Sequence, residues 1–368
     1  LVAARRAQHT EVNLNSVGEV VLGEAEAVRR LVAYCEVIRT TDARAISIKL
    51  SSIASQVSLA GEGATLDLLC PRLTRLYAEA QRRSPHVLIN LDMEAFDDLD
   101  LTLALHQRVS ADPSLADLTT GVVLQAYLPD AHARYEALVS QARERVAGGG
   151  APLRVRLVKG ANLSMERHLA ALRGHPLPIY PTKADTDASW LALVERACAA
   201  ENARVLNVGV ASHNLFDLAF ALVVRAEQGS AEHVQLELLE GMADPLRRVL
   251  AQLAGPVLVY APIVPPGELD AAIAYLVRRL EEATAPQHFL RTSFTMEPGD
   301  AAFQGEEERY RASAEARGHT RTDSLRAAPR VTAAKVLDSP FANEPDTDWA
   351  VRREREAVLA AVKRLENA

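Results

Sequence analysis

Short runs rich in Val, Ile and Leu alternate with longer stretches in which apolar residues return every three or four positions, and the alternation repeats eight times between residues 11 and about 284. The short runs are 11–17, 45–50, 86–92, 121–127, 153–159, 204–211, 234–240 and 256–262. Apolar runs of this length separated by helix-period segments are the pattern of βαβ units, whose parallel strands are covered on both faces. Helices are predicted over 65–83, 98–110, 130–147, 186–201, 214–228 and 243–253, among others, with Thr65, Asp130 and Thr186 as N-caps. Eight repeats predict closure, giving an α/β fold of the (β/α)8, TIM-like barrel class. An open doubly wound sheet binding a dinucleotide would place GxGxxG after its first strand, and that motif is absent; Gly61-Glu62-Gly63 and the Gly148-Gly149-Gly150 run read as loop punctuation.

Nearly every run ends in polar or ionisable residues: Asn13 and Asn15, Lys49, Asp92 and Glu94, Gln125 and Tyr127, Arg156 and Lys159, His213 and Asn214, Glu240, and Tyr260. A charge in a parallel strand costs several kcal/mol unless it is paired, so a shared reason is required. In a (β/α)8 barrel that reason is an active site at the C-terminal ends of the strands.

The helix predicted over 267–284 places Leu269, Ile273, Leu276, Val277 and Leu280 on one face and Tyr275, Arg278, Arg279 and Glu282 on the other. The wheel alone favours a solvated outer face for the charged side, but adjacent arginines beside a tyrosine also suit an anionic ligand, because guanidinium grips carboxylate bidentately. Lys49 reads as a Schiff-base nucleophile, a fixed positive charge or a snorkelling structural lysine. Asp92 reads as a general base, a metal ligand or an orienting partner for arginine. Arg156 and Lys159, with Gly160 behind them, would meet a cofactor ring or phosphate, or would pair with carboxylates from neighbouring strands. A lone His213 at a strand end is more often structural than a ligand. The ten histidines form no HxxxH or HExxH pattern, so no metal is expected.

Composition narrows the class. Hydrophobic residues make up 48% and charged residues 24%, a globular balance, and the net charge of −7 argues against a nucleic-acid partner. Cys35, Cys70 and Cys198 have no CxxC spacing, which predicts reduced thiols and a cytoplasmic setting. No run of about 18 apolar residues predicts a membrane span. The first residue, Leu1, reads as a trimmed start. After residue 285 the periodicity weakens apart from a charged helix near 303–316. Residues 291–338 read as an arm or linker, followed by a helix over 347–366 with Trp349, Val351, Val358, Leu359, Val362 and Leu365 to bury.

Several strings also occur in order over roughly residues 12–285: AISIKLSSI, INLDMEAFDDLDL, VVLQAY, VRLVKGAN, ASHNLFDLAFA, LEGM, VYAP and AYLVRRLEE. In these the chain resembles the proline dehydrogenase half of the bifunctional flavoenzymes of the proline utilization A type. SPFANEPDTDW, residues 339–349, is similar to the segment that opens their aldehyde dehydrogenase half. The resemblance implies three divisions: a barrel over 1–290 that binds FAD, an arm over 291–338, and the start of an aldehyde dehydrogenase-like segment over 339–368. It also implies a last helix tilted over the barrel mouth. Lys49, Arg278 and Arg279 would bind the proline carboxylate, Asp92 would orient the arginines and the amine side, and Leu239 and Tyr260 would pack on the pyrrolidine ring, with Tyr275 and Asn162 completing the substrate pocket. Gln125 and Arg156 would touch the isoalloxazine, while Val158, Lys159, Gly160, Ala161, Thr182, Lys183, His213, Asn214 and Glu282 would line the rest of the FAD site. The family's commoner string is KGAY. This chain has KGAN, so the aromatic wall a tyrosine would supply is missing at Asn162.

The implied reaction is oxidation of L-proline to Δ1-pyrroline-5-carboxylate by hydride transfer to flavin N5, with electrons passed on to a membrane quinone at the inner face of the membrane. A pyrroline-5-carboxylate dehydrogenase half, on the same polypeptide or separate, would be the partner. The residues by themselves leave open a Schiff-base aldolase or lyase using Lys49, and a non-catalytic scaffold that presents residues 339–368.

Overall fold

Eight parallel strands close on themselves in sequence order: β1 (Thr10–Ser16), β2 (Ala45–Ile48), β3 (Leu88–Leu91), β4 (Thr120–Gln125), β5 (Leu153–Val158), β6 (Leu206–Ala211), β7 (Val234–Leu239) and β8 (Val257–Ile263), with β8 pairing back on β1 from Thr10↔Val257 to Ser16↔Ile263. The computed structural model describes residues 1–18, 21–264, 269–284, 288–293, 295–326 and 346–366, with the side chains at 269, 271, 274, 278 and 281–284 outside that description. Around the barrel run α1 (Glu24–Thr40), α2 (Glu62–Gln81), α3 (Leu99–Ser110), α4 (Asp130–Ala147), α5 (Leu163–Arg173), α6 (Lys183–Cys198), α7 (Leu215–Glu227), α8 (Asp244–Ala254) and α9 (Leu269–Thr284). They are followed by α10 (Ala301–Ala316) in the arm and α11 (Arg352–Glu366). The eight predicted strands are all present, each within about two residues of its predicted ends, because charged and turn residues bound every apolar run.

The caps differ from the prediction. Helix α2 is capped by Gly61, and Thr65 lies buried inside it, donating to the Ser58 carbonyl at 3.0 Å. Asp130 is the first residue of α4 rather than its cap, which is Pro129. Thr182, not Thr186, caps α6, its hydroxyl accepting from Asp185 N at 3.1 Å. A cap-type side chain that falls inside the first turn bonds to whatever is nearby instead of capping.

The aliphatic core lies between strands and helices, with Ile46, Ile89, Leu91, Val122, Leu157, Val208 and Trp190 all buried. Much of the interior of the barrel is polar, beside a small apolar cluster of Ala45, Leu88 and Leu258. Asn13, Ser47, Asn90, Arg154, Arg156 and Glu237 are buried there, where barrels of this class commonly stack branched aliphatics. Two glycines make room for them. A Cβ on Gly121 would overlap the Asn90 amide, and one on Gly209 would overlap the Glu237 carboxylate.

Helix α9 reverses the expected burial of its apolar face. Ile273, Leu276, Val277 and Leu280 are 48–62% exposed, while Tyr275 and Arg279 are half-buried. Helix α11 also leaves Leu359, Val362 and Leu365 exposed, against the expectation that they dock. It is tied down at its first turn, where buried Arg355 meets Glu62 at 2.8 Å. The three cysteines are free, and no described helix is long and apolar enough to cross a membrane.

Candidate active site

Alternation within the strands puts Arg154 and Arg156 of β5 on the barrel's inner side, and Gln235, Glu237 and Leu239 of β7 opposite them. Strand β6 lies between, and Gly209, in register with Arg156, has no side chain to obstruct the meeting. Glu237 therefore takes Arg154 Nη2 at 2.7 Å and Arg156 Nε at 2.5 Å. Arg156 Nη1 continues to Asp92 Oδ1 at 3.0 Å and to Ser47 Oγ at 3.2 Å, and the second Asp92 oxygen accepts from the Tyr260 hydroxyl at 2.8 Å. Two arginines face two carboxylates, so the group is charge-balanced, which a buried ionic cluster needs if desolvation is not to dominate.

Within this balance the two carboxylates diverge. Burial would raise Glu237, but Arg156 and Arg154 together overcome it and hold the group below the usual carboxylate range. For Asp92 burial wins over Arg156, Tyr260, Ser47 and Lys49, and its pKa rises. Burial and then the adjacent Asp92 charge lift the Tyr260 phenol well above its ordinary value.

Lys49 lies just past β2, part-exposed, with Nζ at 2.8 Å from Glu94 Oε1. Glu94 is a hub that the sequence placed at the rim without a role. Its carboxylate also takes the Ser51 hydroxyl, and its carbonyl accepts from Asn162 Nδ2 and, at 3.3 Å, from Gln125 Nε2. Asn162, the position that departs from the commoner family string, is thus fastened to the loop carrying Lys49's partner. Leu239 is half-buried at the end of β7, and its N–H donates to His213 Nε2 at 3.1 Å. Burial, with His288 and Arg279 nearby, lowers His213 to about 4.

On the opposite side of the mouth, Lys159 Nζ sits between Asp187 at 2.7 Å and Asp217 at 2.6 Å, and its pKa is raised because those two carboxylates outweigh its burial. Lys183 pairs with the same Asp187, and Asp217 receives the Ser212 hydroxyl at 2.8 Å beside Asn214, which caps α7. Gly160 has φ +132°, and a Cβ there would come within 2.5 Å of the Tyr127 ring. Val158 is half-buried at the end of β5, and Ala161 is exposed. From α9, Arg279 stacks over Tyr275 at 5.4 Å, Tyr275 contributes to the rise at Tyr260, and Arg279 contributes to the depression at His213. Tyr275 and Arg279 of α9 therefore lie toward the strand ends, half-buried, not in bulk solvent. Arg278 and Glu282 lie outside the described side chains.

Two rim residues serve elsewhere. Glu240 pairs with Arg5 Nε at 2.9 Å, tying the N-terminal turn to β7, and Asn13 is buried within the barrel, donating to Ser47 at 2.9 Å. Glu237 and Arg154 join the site without standing at a strand end; the signal for them is charge at alternate positions of two otherwise apolar strands, LRVRLV and VQLELL.

The flavin that the resemblance implies meets suitable donors here. Arg156 Nη2 is buried with no partner among the described residues, as a donor reserved for a ring acceptor would be. His288 is lowered by burial and then by Lys183, Lys159 and Arg279, and the two lysines of that group are themselves held by Asp187 and Asp217.

The proline dehydrogenase family matches residues 1–292. The bifunctional protein PutA of Escherichia coli (strain K12) is 30% identical over 292 residues, which is 74% of this chain and 21% of that protein. The solved structure of proline utilization A from Corynebacterium freiburgense superimposes with a TM-score of 0.86 at 35% identity, covering 98% of this chain and 34% of that one. Proline utilization A from Bdellovibrio bacteriovorus gives 0.82 at 27% identity, over 100% of this chain and 38% of that one. The chain thus spans 21% of the length of the curated relative and about a third of the solved ones.

Proposed function

The chain belongs to the proline dehydrogenase family, and on that premise we propose that it oxidises L-proline to Δ1-pyrroline-5-carboxylate, the first step of proline catabolism, with FAD as its cofactor. The observation that carries this reading is the set of charged side chains gathered at the barrel mouth. Lys49 pairs with Glu94 on the loop that also carries Asp92, Asp92 accepts from Tyr260, and Arg279 of α9 stacks on Tyr275.

Within that set Lys49 and Arg279 are the part-exposed cations suited to an amino acid's carboxylate, and the assignment of Arg278 beside them rests on the family resemblance. Tyr260, fixed by Asp92, and Leu239, fixed through its N–H by His213, offer a rigid wall for the ring. Asp92 is anchored by Arg156, so it orients the site without swinging into it. Bound by Gln125, Arg156, Val158, Lys159, Gly160, Ala161, Thr182, Lys183, His213, Asn214 and Glu282, FAD would supply the two-electron acceptor chemistry. We assign the onward electron acceptor to a membrane quinone, met peripherally at the inner face, and the consumer of the product to a pyrroline-5-carboxylate dehydrogenase half.

The test is spectroscopic. The purified protein is expected to be yellow, with absorbance at about 450 nm that bleaches when proline is added, as reduction of a bound flavin requires. Arg279→Ala is expected to raise the proline KM at least about tenfold, since one charge-assisted hydrogen bond is worth roughly 1.5–3 kcal/mol and 1.4 kcal/mol is a decade. A colourless protein, or an unchanged KM in that variant, would refute the reading.

A further inference from the structure

The loop after β3 carries Asp92 and Glu94 on its inner side, and its outer side is held by residues far along the chain. Arg326 from the arm is 2% exposed. Its guanidinium lies 4.7 Å over the Phe96 ring, with Nη1 3.4 Å from Asp97 and 3.3 Å from Asp348 and Nε donating to the Pro176 carbonyl at 2.9 Å. Asp348 is 4% exposed and also lies 3.7 Å from His175 Nδ1. Asp97 is gripped again by Arg173 at 2.5 Å, and the Phe96 N–H donates to buried Glu166 at 2.7 Å. Arg326 and Asp348 are buried as a pair, and removing either strands the other's charge, so the guanidinium is held firmly against Phe96 and the part-exposed Asp97 of the loop.

Two residues upstream of Phe96, Glu94 sets the Lys49 ammonium with its carboxylate and receives Asn162 and Gln125 with its carbonyl. We propose that Arg326 and Asp348 are positioning residues for the substrate carboxylate: the clamp they form on Phe96 and Asp97 fixes Glu94, and through Glu94 the position of Lys49. Asp348 thereby influences the proline site although it touches no part of it. The inference rests on the reading that Lys49 contacts the carboxylate.

The test compares Arg326→Gln and Phe96→Leu with Lys49→Ala and with Arg317→Gln, which breaks an arm contact to Glu195 on α6 away from this loop. Flavin-loaded protein is assayed for proline KM and kcat, and calorimetry measures the Kd of tetrahydrofuran-2-carboxylate, a ring carboxylate without the amine. Arg326→Gln is expected to raise KM and that Kd at least fivefold with kcat within twofold, Phe96→Leu to move both in the same direction, and Arg317→Gln to lower Tm alone. A lowered Tm with unchanged KM and Kd in Arg326→Gln and Phe96→Leu would overturn the positioning role while Lys49→Ala still raised both. If Lys49→Ala itself leaves both unchanged, the carboxylate reading falls and this inference falls with it.

Discussion

Replacing Glu237 with glutamine tests the charge balance on which the barrel interior depends. The side chain is 3% exposed and accepts from Arg154 at 2.7 Å and Arg156 at 2.5 Å, so glutamine preserves volume while removing one of two negative charges facing two arginines. The amide oxygen can keep one of those bonds, and the amide NH2 then meets a guanidinium with nothing to donate to. Breaking a buried pair by neutralising one partner costs about 3–5 kcal/mol, a large share of a typical stability of 5–15 kcal/mol. We therefore expect Glu237→Gln to lower the free energy of unfolding by about 3 kcal/mol in urea titrations at pH 7, without a change in slope. The loss has a defined pH window. Because the folded pKa lies below 4.5, the stabilisation is present above that value and fades as pH falls through the folded pKa, so wild type and variant should converge in acid. Arg154→Met with Glu237→Leu leaves one arginine facing one aspartate and should recover most of the loss, as apolar replacement of a complete pair commonly does. A cost below about 1 kcal/mol for the single change, or a double variant less stable than Glu237→Gln, would refute the balance argument.

Gly160→Ala forces a side chain into a positive-φ position against the Tyr127 ring and should lower stability by about 1–3 kcal/mol with loss of bound flavin, read as Tm and as the cofactor absorbance per protein. Burial lowers both His213 and His106 to about 4, so between that value and 6.5 the unfolded chain binds protons the native state refuses; stability should fall as pH drops through this interval, and His213→Asn should flatten the slope in urea titrations run at pH 6.5 and 4.5. Asp98 is raised to about 6 by burial and then by Glu94, so its charged form opposes folding above that pH, and Asp98→Asn should raise stability at pH 8 by on the order of 2 kcal/mol and by much less at pH 4; equal effects at both would exclude the ionisation as the cause.

The sequence by itself determined the closed eight-stranded barrel, because strand length, apolar composition and bounding charges are local properties, and it placed Lys49, Asp92, Gln125, Lys159, His213 and Tyr260 at the strand ends. It also carries the alternating charges of β5 and β7. Only closure of the barrel could decide that Arg156 on β5 reaches Glu237 on β7 across the bare backbone of Gly209, since those strands are not neighbours and the pairing exists only once the interior is enclosed. The same holds for α9. Its wheel separates two faces, but which one turns inward depends on what lies beneath it, and above a mouth lined by Tyr260 and His213 it is Tyr275 and Arg279 that are half-buried while Ile273, Leu276, Val277 and Leu280 are exposed. Glu94 gained its place as a hub in the same way, through Lys49, Asn162 and Gln125 arriving from three other strands, a convergence that follows from three-dimensional closure and leaves no trace in residue spacing.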